Sequence, residues 1–140
     1  MARPRFQLVP GARLLGLSDG GGVGWRLLGA NNRELGRSAL SYPDAEEALE
    51  SVQRVRVLAD DGDGHIVHDH IVGLWLWHLD DRGLAAAASG RGFRYERECR
   101  YNLEQFRATA PVAPTSEADG SAGFSWQRVT LEAPLMKGAS

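Results

Sequence analysis

The chain has 140 residues, 43% of them hydrophobic and 24% charged, with a formal net charge of -2 at pH 7. That is the size and composition of one ordinary globular domain, and its charge gives no global attraction for nucleic-acid phosphates or anionic lipid, so any nucleic-acid role must be local. The single cysteine, Cys99, excludes an intrachain disulfide framework and any multi-cysteine zinc site and points to a reducing compartment.

The opening residues, MARPRFQLVPGARLLG, include basic side chains but no continuous apolar core before a small-residue cleavage site, so no signal peptide is expected. The most apolar stretch, Ile71 to Leu79, covers nine residues, whereas a spanning helix needs about 20. A cytoplasmic protein with no membrane partner follows. Arg13 to Leu17 reads as a strand, and SDGGGVG after it as a Gly-rich hairpin loop. A phosphate-cradling loop would need a helix on its far side, and here a strand pattern follows.

Val23, Trp25 and Leu27 alternate with Gly24, Arg26 and Leu28, the period of a strand with one buried face. Asn31 and Asn32 then supply a tight turn, because Asn tolerates the left-handed conformation, and Glu34 to Ser38 returns as a short paired strand. The next pattern is helical, from Pro43 to Leu58. Asp44, Glu46 and Glu47 crowd its start and Arg54 and Arg56 its end, as the helix dipole favours. Ala45, Ala48, Leu49, Val52 and Val55 form one apolar stripe that must cover a sheet face.

DDGDGH, residues 60 to 65, resembles the start of a calcium loop but lacks the later oxygen ligands and Glu of that pattern, so it reads as a helix-to-strand turn. GHIVHDHIVG follows, with His68 and His70 on one face of an expected edge strand, Asp69 on the other, and His65 off the His68 face. Two imidazoles could contribute to a zinc site, but no fourth ligand is evident. No metal or cofactor is assigned. Leu74 to Leu79, with Trp75, Trp77 and Leu79 on one face, reads as a central strand, and Tyr95 to Arg107 as a helix with Cys99, Leu103 and Phe106 inward. On that stripe Cys99 is a small core hydrophobe, not a nucleophile.

Offsetting the chain by about 51 residues, with one gap in the turn, aligns Trp25 with Trp77, Leu27 with Leu79, Ser38 with Ser89, Tyr42 with Phe93, Ala48 with Cys99, Val52 with Leu103 and Val55 with Phe106. Two copies at this spacing indicate a pseudo-symmetric single domain. The segment WRLLGANNRELGRSALSYPDAEEALESVQRVR resembles the YegP-like family, small bacterial domains of unknown function. The likeness spans residues 13 to 59 and, more faintly, 66 to 110. Asn32 stands where that family has a turn Gly, and the second copy lacks the Ala-Asn element. The resemblance implies three strands and a helix per repeat, paired repeats sharing one sheet and exchanging terminal strands, and no established catalytic residues.

The expected fold is therefore α+β: two tandem β-β-β-α repeats, residues 5–61 and 62–110, sharing one mostly antiparallel sheet with two helices packed on it. Residues 111–123 have linker composition, and 124–133 regain strand character, with Phe124 and Trp126 on one face and Val129 and Leu131 on the other. This last segment is expected to return as a strand completing the other repeat's sheet. A free partner-binding peptide could have the same pattern.

Arg91, Arg94, Arg97, Arg100 and Arg107 make the strongest binding signal, at a spacing that could grip phosphate or an acidic partner. Interleaved Glu96, Glu98 and Glu104 fit a solvated, salt-bridged face equally well. The function expected is a non-enzymatic interaction module whose partner is another protein. Nucleic-acid contact through Arg91 to Arg107, and a small metal-dependent enzyme using His65 to His70, are the alternatives.

Overall fold

A computed structural model of the chain describes residues 3–10 and 22–115. Over these it forms strands β1 (Arg5–Pro10), β2 (Val23–Leu28) and β3 (Glu34–Ser38), helix α1 (Ala45–Asp61), strands β4 (Asp63–Asp69), β5 (Leu74–Asp81) and β6 (Leu84–Ala88), and helix α2 (Glu96–Thr109). The six described strands build one sheet in the order β1-β2-β3-β6-β5-β4, every neighbour antiparallel. β3 and β6 meet in the middle, Arg37 opposite Ala88 and Ser38 opposite Ala87. The second three strands thus run outward in the reverse order of the first.

Strand alternation places Trp25 and Leu27 of β2, and Trp77 and Leu79 of β5, in the core, at 0–1% exposure. Onto them α1 presents Ala48, Val52, Val55 and Ala59, and α2 presents Cys99, Leu103 and Phe106. Phe106 lies between the tryptophans, 6.3 Å from Trp25 and 4.9 Å from Trp77 between ring centroids. Space for it comes from Gly36 on β3, where a Cβ would fall 2.6 Å from the Phe106 ring and 2.8 Å from Trp77. Each buried indole finds an acceptor on a helix: Trp25 Nε1 donates to Ser51 Oγ (2.7 Å), and Trp77 Nε1 to Asn102 Oδ1 (2.5 Å). Both contacts satisfy donors that burial would otherwise leave unpaired.

The two halves share local devices. The Trp25 backbone N–H donates to Ser38 Oγ, and that of Trp77 to Ser89 Oγ. Val23 exchanges two backbone hydrogen bonds with Tyr42, and Trp75 two with Phe93. The turn between β2 and β3 holds Asn32 at φ 65°, the left-handed region expected of it, while that between β5 and β6 uses Arg82 and Gly83, both at positive φ.

Several boundaries differ from expectation. α1 begins after Asp44, whose carboxylate accepts the Glu47 N–H (2.9 Å), so Pro43 precedes the cap instead of opening the helix. It ends at Gly62, and its last turn contains no basic residue; Arg107 of α2 donates there instead, to the carbonyls of Ala59 and Gly62 (3.0 Å each). The first described strand is Arg5–Pro10; the Arg13 to Leu17 segment, expected as a strand, lies outside the described residues. Phe6 and Leu8 are buried on it, and Phe6 packs edge-on against Trp25 at 5.3 Å. β4 stops at Asp69, which turns the chain by accepting the Ile71 N–H (3.0 Å), so His70 lies beyond the strand.

At the start of the expected linker, Ala113 is buried, Pro114 O accepts the Phe6 N–H (2.8 Å), and Ala113 O accepts from Arg56 (2.7 Å). The expected terminal strand, 124–133, lies outside the described residues. No helix among the described residues is long and apolar enough to cross a membrane.

Candidate functional site

The hairpin turn after β2, strand β3, the loop after β6 and the outward side of α2 enclose an open hollow of about 1040 Å³. The turn contributes Arg33, the loop Arg91 and the helix Arg97. Tyr101, 64% exposed, and the buried Phe93 supply aromatic surface. A second hollow of about 410 Å³ continues from it, sharing Asn31, Leu35 and Gln105 and extending to Pro4, Ala30 and Thr109. Together they make a groove that is cationic at one end and largely uncharged at the other.

Of the five arginines singled out in the sequence, the fold brings Arg91 and Arg97 into this groove. The Arg91 guanidinium lies 4.3 Å over the Phe93 ring, and that of Arg97 5.1 Å over Tyr95. Stacking on an aromatic face leaves the N–H edges of a guanidinium available for an acceptor. Arg94 is exposed but does not line the groove. Arg100 pairs with Glu96 one helical turn earlier (2.8 Å), both well exposed. Arg107 is committed to the end of α1 and serves the fold. Arg33, by contrast, reaches the site from a turn far away in sequence, which helical spacing could not indicate.

Two groove residues are acidic, and they differ. Glu34 is held by Arg37 through two hydrogen bonds, at 2.6 and 3.0 Å, whereas Glu98 is exposed at the rim. Among the described residues, no ion pair involves Arg33, Arg91 or Arg97.

The histidines do not form one site. His65 lies directly opposite His78 on the sheet face away from the helices, the rings stacked at 4.9 Å, and both contact Asp80, at 3.3 and 2.7 Å. His68, an odd number of residues from His65, points to the opposite face, where it packs on Trp75 (4.6 Å) and meets His70 (3.2 Å between Nδ1 atoms). Among the described residues, no group of three or more His, Cys, Asp or Glu is arranged to hold a metal ion.

Another lateral row crosses all six described strands on the face away from the helices: Gln7, Arg26, Arg37, Ala88, His78 and His65 lie in register. Its polar side chains are engaged by neighbours, Arg26 by Gln7 (2.7 Å), Arg37 by Glu34, and the two histidines by Asp80. This leaves the groove as the better-equipped surface.

Cys99 is fully buried beneath α2, and burial raises its thiol pKa from 9.0 to about 11, with nearby Arg100 opposing and Glu96 adding to the rise. Such a thiol is a poor nucleophile at neutral pH.

No protein-family model matches the chain, and no curated protein matches it. Its fold is similar to the solution NMR structure of yegP from E. coli, a protein of unknown function, with a TM-score of 0.65 and 13% sequence identity over 82% of this chain and 92% of that one. At that identity the likeness shows the fold alone.

Proposed function

We propose that the chain is a tandem duplication of a β-β-β-α unit, residues 5–61 and 62–110, acting as a non-enzymatic cytoplasmic interaction module that binds another protein through the groove between β3 and α2. The duplication is supported by the paired devices of the two halves: the Ser38 and Ser89 hydroxyls on tryptophan N–H groups, and the Tyr42 and Phe93 bridges. The binding reading rests on one observation, the convergence of Arg33, Arg91 and Arg97 on a groove with aromatic walls. A protein suits this surface better than a nucleic acid, because Glu98 lines it, Arg100 and Arg107 are engaged elsewhere, and the net charge is -2.

The reading is tested by displaying random peptides to the full chain and to a Gln105→Trp variant, in which the indole fills the point where the two hollows join. Peptides recovered on the natural chain should fail on the variant. Equal binding to both would place recognition elsewhere and overturn the reading.

A further inference from the structure

We infer that the groove takes an extended peptide segment of about five or six residues, with a carboxylate side chain at the Arg91–Arg97 end and an apolar side chain at the Leu35–Pro4 end. This rests on the protein-binding reading above and specifies its partner.

Length follows from α2. The groove runs beside that helix from Arg97 to Thr109, a rise of roughly 18 Å at 1.5 Å per residue, which about five or six extended residues span at 3.3 Å each. Polarity follows from the lining. Arg33, Arg91 and Arg97 all belong to the larger hollow, whereas Pro4, Ala30 and Thr109 line the smaller one, with Leu35 where the two join. A carboxylate can accept two parallel N–H donors from one guanidinium, and the aromatic contacts of Arg91 and Arg97 restrain those donors before any ligand arrives. A chain of phosphates would fit less well, because successive charges along the groove would meet Glu98 and then an uncharged end. One or two carboxylates followed by an apolar residue avoid the second obstacle, because their charge stays in the hollow that holds the three arginines.

The site also contains its own reporter. Asn102 lines the larger hollow while accepting the Trp77 indole hydrogen bond, so a ligand that displaces its amide alters the surroundings of a buried tryptophan.

The test uses the full chain and three hexapeptides, acetylated and amidated: two glutamates followed by two glycines and two leucines, the same sequence with glutamines for glutamates, and the first sequence with glutamates in place of its leucines. Binding is read by anisotropy of a peptide label and by tryptophan emission. The first peptide should bind with a salt-sensitive affinity, and roughly tenfold or more should be lost with the glutamine peptide, with the peptide carrying glutamates at both ends, or with Arg91→Gln or Arg97→Gln, as expected for one charge-assisted contact. Equal affinity of the glutamate and glutamine peptides, with Gln105→Trp still abolishing both, would overturn the carboxylate anchor and leave the groove reading standing. Binding that survives Gln105→Trp would overturn the groove reading itself. If none of the three peptides binds, the proposed ligand chemistry is wrong, and display selection decides the groove independently. Displacement of the peptide by a single-stranded oligonucleotide at lower concentration than by free glutamate peptide would favour the nucleic-acid alternative and overturn the inference.

Discussion

Cys99 illustrates how position alone sets the chemistry of a side chain. It sits on the inward stripe of α2, fully buried, and burial raises its pKa to about 11. At a given pH below 9 a rise of this size leaves roughly a hundredfold less thiolate than in an unfolded chain. Maleimide labelling at pH 8 should therefore be at least that much slower in the native protein than in denaturant; comparable rates would place the thiol at the surface. The same displacement links stability to pH. The unfolded chain releases this proton from about pH 9, while the folded chain keeps it until about pH 11. The thiol's contribution to stability is thus intact below pH 9 and is lost as pH rises towards 11. A Cys99→Ala variant should show a shallower decline in unfolding midpoint over that interval, which chemical denaturation between pH 8 and 11 can measure.

Among the elements, α2 divides its arginines between two tasks. Arg107 reaches across to the carbonyls of Ala59 and Gly62 and closes the end of α1, a helix whose own last turn has no cation. Replacing it should expose those acceptors and cost about 1.5–3 kcal/mol, the range for hydrogen bonds to a charged group. Arg100 pairs with Glu96 in open solvent, so Arg100→Ala should cost no more than about 0.5 kcal/mol, as such exposed pairs do. Urea unfolding of the two variants checks the contrast. Similar losses in both would show that the Arg107 contacts do not hold α1.

At the scale of the whole molecule the decisive contacts join the halves. Phe106 of α2 touches both Trp25 and Trp77, and β3 pairs with β6 at the middle of the sheet. A fragment comprising residues 1–61 would keep Trp25 but lose Phe106, and would expose the β3 edge that β6 covers. It should bind hydrophobic dye and self-associate, whereas a well-dispersed monomer in NMR spectra would show that one half is sufficient. The groove depends on the same association, since its walls come from β3 in one half and α2 in the other.

The local pattern of the chain was legible without coordinates. Alternation at Val23, Trp25 and Leu27 and at Trp75, Trp77 and Leu79 specified strands, and the three- and four-residue spacing of Ala48, Val52 and Val55 and of Cys99, Leu103 and Phe106 specified helices and the faces they bury. Those assignments depend on side-chain period, which sequence contains directly. The alternation of Phe6 and Leu8 carried the same signal for β1, over a stretch short enough to be passed over. Tertiary structure alone decided which arginines are available. Arg91 and Arg97 stack beside the groove, Arg107 caps a distant helix, and Arg33 arrives from a turn, because guanidinium partners are set by the approach of β3 to β6 and of α2 to β3 and β5. Sequence spacing places residues on a face of their own element; what that face meets depends on the packing of elements far apart in the chain.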